Sequence, residues 1–529
     1  MLRLTGAWLC HRKAQKKGWF KVNEFQQQSA EINDLLCILN LLTWDTRTQM
    51  PPGGSQSRAQ QTATLSGLAQ QRLLDPAFEH AARAALSAAE PASVPARAAQ
   101  QAISAVRALK RVPVELTRDL ALTKSAAQDA WADARAHSDF SRFAPHLTRM
   151  VDLQRRLADA LGYDAHPYDA LLNLYEPGLT AATLQPLFSQ LRTHHLSLLR
   201  EVQAQPQPRL DFLERDYDVA AQQILALELA QAIGYDLTRG RLDASAHPFE
   251  ISFTREDVRI TTRYHPNFLP GALFGVLHEA GHAMYEQGVS SELSRSVLAS
   301  DLLGLYAVGG ASYGTHESQS RLWENRVGRS RAFWDQHYPR AQALFSSQLA
   351  DVTVVEFHRA VNRVQPSLIR VEADELTYDL HIMLRVDIES ALIAGDLKVQ
   401  DLPEMWNARI ESDLGLKVPD DARGVLQDIH WSAGLFGSFP TYTVGNIMAA
   451  QFYEAAHAAL PDLEASLARG EYGPLRIWLT EQVYQHGRTF TPHELLERTT
   501  GRGLDAAPYL TYLSGKYRDL YGVTEKETA

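Results

Sequence analysis

The stretch Leu277-His278-Glu279-Ala280-Gly281-His282-Ala283 sets two imidazoles four residues apart, with a carboxylate directly after the first. On an α-helix, positions i and i+4 lie about 40° apart around the axis, so His278 and His282 project from one face and can hold one Zn²⁺ through neutral nitrogens. Glu279 falls about 100° round from His278, off the ligand stripe but within reach of an activated water, where a general base belongs. The run Asn267 to Gln287 reads as one helix around this motif: Phe268, Leu269, Leu273, Leu277, Ala280, Met284 and Tyr285 recur mostly at helical spacing, Asn267 is expected to cap it and Gly288 to end it. Gly271, Gly275 and Gly281 each cost up to about 1 kcal/mol against alanine in a helix, so close packing or space beside a site is expected to require them.

A catalytic zinc site keeps about three protein ligands and one open position, so a further His or carboxylate is expected. Glu317 is the candidate, in Gly314-Thr315-His316-Glu317-Ser318-Gln319-Ser320-Arg321-Leu322-Trp323-Glu324-Asn325, a helix start that Thr315 would cap. Glu317, Arg321 and Glu324 share a face, which without a zinc helix upstream would read as a solvated ion-pair ladder. Further on, Ile369-Arg370-Val371-Glu372-Ala373-Asp374 and Gly424-Val425-Leu426-Gln427-Asp428-Ile429-His430-Trp431 mix charged and apolar groups. Singly, each reads as structural: Arg370 would pair with Asp374 one turn on, and His430 would be a satisfied core histidine.

Upstream of the metal motif, Asp257-Val258-Arg259-Ile260-Thr261-Thr262-Arg263-Tyr264 alternates and is β-branched enough to be a strand. Its free edge would hold an extended peptide across the metal; the plainer reading is a small hairpin with His247-Pro248-Phe249. From Glu24 to about Glu201 the pattern is helical, broken at Met50-Pro51-Pro52-Gly53-Gly54, Glu90-Pro91 and Val112-Pro113, and Gln203 to Pro208 is the best linker candidate.

Composition narrows the class. The chain has 529 residues, 45% of them hydrophobic and 22% charged, and no apolar run approaches the length of about eighteen residues that a membrane helix needs. Cys10 and Cys37 are the only cysteines, which excludes a disulfide framework and a cysteine zinc site and fits a reducing cytosol. Arg3, Arg12, Lys13, Lys16, Lys17 and Lys21 crowd an acid-free start, so the net charge of -10 understates how acidic the rest is. That acidic body argues against nucleic acid as a partner. The basic stretch 1–22 is read as a disordered arm or an upstream-start addition, since its charges follow its apolar stretch and do not precede it as in a secretory signal.

In order along the chain, the His-Pro-Phe phrase, Asp-Val-Arg-Ile-Thr-Thr-Arg-Tyr, the H-E-x-x-H helix, His-Glu-Ser-Gln, Ile-Arg-x-x-Ala-Asp and Gly-x-x-Gln-Asp-x-His-Trp resemble the thermostable carboxypeptidase family M32 of metallopeptidases. The resemblance starts near Glu31, takes in Trp44-Asp45 and Met50-Pro51-Pro52-Gly53, and runs to the segment from Tyr509 to Tyr521. It implies a mainly α-helical fold with a deep groove and a small β-sheet, similar to neurolysin and angiotensin-converting enzyme, with residues 23–529 forming one catalytic domain whose two helical halves flank the groove. It also implies a homodimer, one divalent metal per subunit, and removal of C-terminal amino acids from peptides with a free C-terminus; the expected cytoplasmic location rests on the cysteine usage. Zn²⁺ is the expected ion, with Co²⁺ or Mn²⁺ as alternatives, since nitrogen and oxygen donors bind several.

Carried over by motif, His278, His282 and Glu317 become the metal ligands and Glu279 the base. Arg370, Gln427 and His430 become substrate-binding or transition-state groups. Arg370 offers the planar fork that grips a carboxylate bidentately, and Tyr442, in Phe439-Pro440-Thr441-Tyr442, is the expected partner of His430 at the oxyanion. The segment from Gln287 to His316 is longer than the resemblance leads one to expect, which bears on the local loop and not on Glu317. An endopeptidase or dipeptidyl carboxypeptidase would use the same cleft, and a vestigial motif would leave a non-catalytic helical peptide-binding protein.

Overall fold

Asn23 opens α1 (Glu24–Thr48) with a capping box: its side chain accepts from the Gln26 amide, and the Gln26 side chain accepts from the Asn23 amide. The computed structural model describes residues 23–523; the basic extension 1–22, Cys10 included, lies outside the described residues. Proline, glycine and short polar caps then break the chain where turn chemistry predicts. Pro52–Gly54 separates α1 from α2 (Ser55–Leu73), and Asp75 caps α3 (Pro76–Ala88). Ser93 caps α4 (Val94–Arg111), and Val112-Pro113 sets off α5 (Val114–His137). Next come α6 (Ala144–Leu161), α7 (Pro167–Leu172) and α8 (Ala181–Gln203), from which coil at 204–210 leads towards α9 (Val219–Ile233).

β1 (Gly240–Ala244), β2 (Glu250–Thr254) and β3 (Asp257–Thr262) form one sheet in the order β1-β3-β2. β3 pairs parallel with β1 and antiparallel with β2, so it has no free edge to offer a peptide, contrary to the expectation for this strand. Its β-branched residues are the reason: Val258, Ile260, Thr261 and Thr262 are all buried, as suits a central strand packed on both faces. The hairpin with the His247-Pro248-Phe249 side forms instead, and the outer edge of β2 meets α1, where Asn40 Nδ2–H donates to Ser252 O at 2.7 Å.

α10 (Leu269–Gly288) carries the metal motif over that sheet. Its end at Gly288 meets the expectation, but its start does not. Phe268, not Asn267, occupies the N-cap position without a side-chain cap, because Pro270 in the first turn defines where the helix begins; Gly288 is the last helical residue. After it, residues 289–312 fold into short 3-10 turns and the two-stranded β4 (Ser300–Asp301) and β5 (Tyr306–Ala307). This long segment belongs to a core of its own: Val289, Leu293, Val297 and Leu298 pack with Ile32, Leu36, Phe78 and Val106 of α1, α3 and α4. Each such side chain, fully buried, stabilises by about 1.5–3 kcal/mol.

α11 (Tyr313–Arg321) is capped by Ser312, whose side chain accepts from the Thr315 amide; Thr315 is therefore inside the helix and not its cap. It continues as a π-helix, Leu322–Gly328, and leads to α12 (Arg331–Leu344) and α13 (Val354–Val361). The rest is helical: α14 (Glu375–Ala394), α15 (Leu402–Leu414), α16 (Pro440–Ala459), α17 (Leu463–Ala468), α18 (Gly473–Gln482), α19 (Pro492–Thr500) and α20 (Ala507–Tyr521). Buried Asp379 ties four of these helices together, accepting from Thr443 (2.7 Å), Asn446 (2.9 Å) and Tyr509 (2.8 Å) and facing His195 Nε2 at 3.2 Å. A buried carboxylate so fully met is a structural hub, since its desolvation is offset by donors on every side. Among the described residues, no helix is long and apolar enough to cross a membrane.

Candidate metal centre

Close backbone packing brings the ligand helices together. A Cβ at Gly281 would stand 2.6 Å from Gln319 O of α11, and one at Gly445 of α16 would stand 2.7 Å from Glu317 Cβ. Only glycine permits either contact, which meets the expectation that α10 needs glycine where it packs. Glu317 is thus held between α10 and α16, facing the two imidazoles.

The donor atoms of His278, His282 and Glu317 all lie within 4.8 Å of one another. Glu317 Oε2 is 3.7 Å from His278 Nε2 and 3.5 Å from His282 Nε2. Ligand bonds of about 2.0–2.1 Å in a tetrahedral shell put neighbouring donors about 3.3 Å apart, so the set fits a small divalent cation. The other oxygen, Oε1, is occupied by Arg321 Nε at 2.7 Å, which leaves Oε2 for the ion. Glu317, Arg321 and Glu324 therefore make no solvated ladder: Glu317 and Glu324 are buried, and all three belong to the site.

The π-helical turn swings Glu324 towards α10, where its Oε2 meets His278 Nδ1 at 3.0 Å and its Oε1 meets Arg329 at 2.9 Å. A carboxylate behind a ligating imidazole fixes the proton on Nδ1 and leaves Nε2 to bind. Burial opposes charge on His278, but Glu317 and Glu324 outweigh it and raise its pKa. Surroundings that favour a proton there favour a metal cation in its place. Burial pushes His282 down to about 3, so its imidazole is neutral and free to coordinate. For Glu317, burial is again outweighed, by Arg321, His278 and His282, and its carboxyl is held well below the usual range.

Glu279, next to His278 on α10, is 6% exposed. Burial pushes its carboxyl up to about 7, with His278 opposing and Glu317 and Glu324 adding to the rise, while the Glu250 amide of β2 donates to it. A base with a pKa near the working pH transfers protons both ways.

Arg370 is linked to the triad through Tyr378 and Arg321. Arg321 stacks over the Tyr378 ring at 4.5 Å, and Arg370 Nη1 donates to Tyr378 Oη at 3.1 Å. The partner of Arg370 is Asp428 (Nη2 to Oδ1, 2.8 Å), not Asp374. Asp374 instead caps α14, accepting from the Leu376 and Thr377 amides, a stronger local use for a carboxylate at a helix start. Asp428 also pairs with Arg385, which is fully buried, at 2.5 Å. Gln427 accepts from the Arg370 amide and from Arg385 Nη2, both at 2.9 Å, and donates to Leu368 O at 3.0 Å. Its amide is spent on holding the arginines.

His430 Nε2 lies 3.2 Å from Tyr442 Oη, and the ring stacks on Phe439 at 4.4 Å. Burial, helped by Arg370, pushes His430 down to about 4, so it is neutral, and its Nδ1 has no hydrogen-bond partner. The structure thus brings His278, His282 and Glu317 together, sets Glu324 and Arg321 against them, and groups Arg370, Gln427, His430 and Tyr442 around Asp428 and Tyr378, while Asp374 stays apart as a helix cap. Reasoning from the sequence missed Tyr378, Arg385 and Glu286, and did not recognise that Glu324, Asp428 and His316 stand beside the ligands and Arg370, although all three sit within phrases it had already marked.

The match to known proteins spans this whole arrangement. Residues 24–517 fit the family model of carboxypeptidase Taq (M32) metallopeptidases. Thermostable carboxypeptidase 1 of Thermus thermophilus is 44% identical over 516 residues, covering 94% of this chain and 98% of that protein. Carboxypeptidase 1 of Bacillus subtilis is 38% identical over 490 residues, covering 91% and 95%. The crystal structure of M32 carboxypeptidase from Deinococcus radiodurans R1 superposes with a TM-score of 0.91 at 43% identity, covering 94% of this chain and 99% of that one. With similarity of this extent in both sequence and fold, the chain belongs to the carboxypeptidase Taq (M32) family of metal-dependent metallopeptidases.

Proposed function

We propose that this metal-dependent carboxypeptidase uses one Zn²⁺ per chain, held by His278, His282 and Glu317, to release residues one at a time from free peptide C-termini. When bound, the ion supplies Lewis acidity that lowers the pKa of the attacking water towards about 7 and polarises the scissile carbonyl. Glu279 accepts the proton of that water and passes it to the leaving amine. His430 Nε2 lies 3.2 Å from Tyr442 Oη; in the tautomer that carries its proton on Nε2, His430 donates to Tyr442 and leaves the tyrosine hydroxyl to donate to the developing oxyanion.

The observation that carries the exopeptidase reading is the charge balance around Asp428: two buried guanidiniums, Arg370 and Arg385, share one carboxylate. The excess positive charge calls for an anion. Asp428 takes the Nε side of Arg370 and Tyr378 takes one Nη1 hydrogen, which leaves one N–H on each terminal nitrogen. That edge matches a peptide's terminal carboxylate in bidentate geometry. Gln427 serves by keeping both arginines in position.

The test is a pair of peptides identical but for a free or amidated C-terminus, with products identified by mass spectrometry. Loss of single terminal residues from the free acid alone is the expected result. Equal cleavage of both, or release of dipeptides or internal fragments, would refute the single-residue exopeptidase reading. The family reading also extends to a homodimer, which light scattering of the intact protein reads directly.

A further inference from the structure

Glu286 lies one helical turn beyond His282, is 4% exposed, and is too far round to join the ligand set. Its Oε1 accepts from the Gly310 amide at 2.9 Å and its Oε2 from the Gly309 amide at 2.7 Å, with Ser252 Oγ 3.2 Å away. Between Glu286 and the ligand stands His316: His316 Nε2 is 3.0 Å from Glu286 Oε1, and His316 Nδ1 is 2.6 Å from His282 Nδ1.

Proton counting gives this chain a direction. If His282 Nε2 faces the ion, its proton sits on Nδ1 and must be donated to a bare nitrogen. His316 Nδ1 is then the acceptor, so the His316 proton sits on Nε2 and goes to Glu286. The carboxylate has no proton to give and already takes two amides, so no other arrangement satisfies every atom. We infer that His316 and Glu286 are positioning residues that hold His282 in its metal-binding tautomer and orientation, the counterpart on His282 of what Glu324 does directly on His278.

The seat of this relay is the Gly309-Gly310 pair. A Cβ at Gly309 would stand 2.6 Å from Val289 Cγ2 and 3.1 Å from Glu286 Oε2, and one at Gly310 would run into the His316 ring. The strand just before the pair is tied to α1, since Asn40 Nδ2–H donates to Ala307 O at 2.8 Å. The long segment after α10 thus has a physical use: it brings two side-chain-free amides to the back of the metal centre.

The inference rests on the reading of His278, His282 and Glu317 as metal ligands, and the test separates the two. Zn²⁺ affinity and release rate are measured by chelator competition on the full chain, with the absorption spectrum of the Co²⁺-loaded protein and the melting temperature of the metal-free form alongside. His316→Phe, Glu286→Gln and Gly310→Ala should each weaken Zn²⁺ by about tenfold to a hundredfold and shift the Co²⁺ spectrum, the usual scale for losing support behind a ligand. His316→Gln, which restores an acceptor for His282, should recover part of the loss. Where one variant fails to fold, the remaining ones decide. Zn²⁺ affinity within about twofold of wild type in the folded variants, with Glu317→Ala losing the ion, would overturn this inference alone. Wild-type affinity in Glu317→Ala would overturn the ligand reading and this inference with it.

Discussion

Arg370 Nη2 stands 2.8 Å from Asp428 Oδ1 although the residues are 58 positions apart in the chain. Asp428 neutralises one of two buried arginines, so its loss strands both. Asp428→Asn should destabilise the fold by about 3–5 kcal/mol, the cost of leaving a buried charge unpaired. Asp374→Asn should cost only about 1 kcal/mol, the scale for a weakened helix cap, and leave kcat/KM unchanged. Urea unfolding of the two variants separates these roles, and similar losses in both would assign Asp374 to the arginine cluster after all.

Arg370→Ala should lower kcat/KM on free-acid peptides by about 2–5 kcal/mol while barely altering the poor rate on amidated ones. Arg370→Lys should rescue little, because an ammonium cannot reproduce the two-toothed edge. Equal losses on both substrates would show that Arg370 supports the fold or the transition state instead.

Glu279→Gln should keep the wild-type metal content while kcat falls by at least about a hundredfold, the scale of general-base help. Metal analysis beside steady-state kinetics reads this directly. Metal lost together with activity would make Glu279 a structural part of the centre.

Tyr442→Phe removes the hydroxyl that His430 aligns. It should lower kcat by about a hundredfold to a thousandfold with little change in KM, as expected for a donor used only in the transition state. A raised KM with unchanged kcat would move Tyr442 to ground-state binding.

Glu389 is fully buried beside Tyr168 (2.6 Å), Trp431 (3.0 Å) and the Gly437 amide (2.9 Å), and burial pushes its carboxyl from 4.5 up to about 7 against those donors. Between 4.5 and about 7 the folded chain keeps a proton that the unfolded chain has released, so this group's stabilising contribution is present below that window and lost as pH rises through it. A shift of this size corresponds to up to about 3 kcal/mol. The stability of wild type relative to Glu389→Gln, followed by tryptophan emission during urea unfolding, should therefore fall from about pH 5 to about pH 8. A relative gain with rising pH would mean that the donors hold Glu389 ionised.

What the sequence could tell depended on how far apart the partners lie. The His278/His282 face, the breaks at Pro52 and Pro113, and the helical course of the chain follow from spacing and turn chemistry within a few residues. Local reasoning failed where a distant partner competed. Asp374 is one turn from Arg370 but caps α14, and Asp428 takes the arginine from across the fold. Likewise, nothing local to Asp257–Thr262 reveals that both of its edges are occupied, and regular helical spacing could not foresee the π-turn that carries Glu324 to His278. His316 reaches His282 only because α10 and α11 touch at Gly281.

The most direct test of the metal centre is titration of chelator-stripped protein with Zn²⁺, following bound ion and hydrolysis of a free-acid peptide together. Hydrolysis should be absent from the stripped protein and return in proportion to bound Zn²⁺ up to one ion per chain, and Glu317→Ala should need far more Zn²⁺ to bind it. Hydrolysis by the stripped protein, or a Glu317→Ala titration that overlays the wild type, would contradict the assignment of His278, His282 and Glu317 as the site that makes this chain an enzyme.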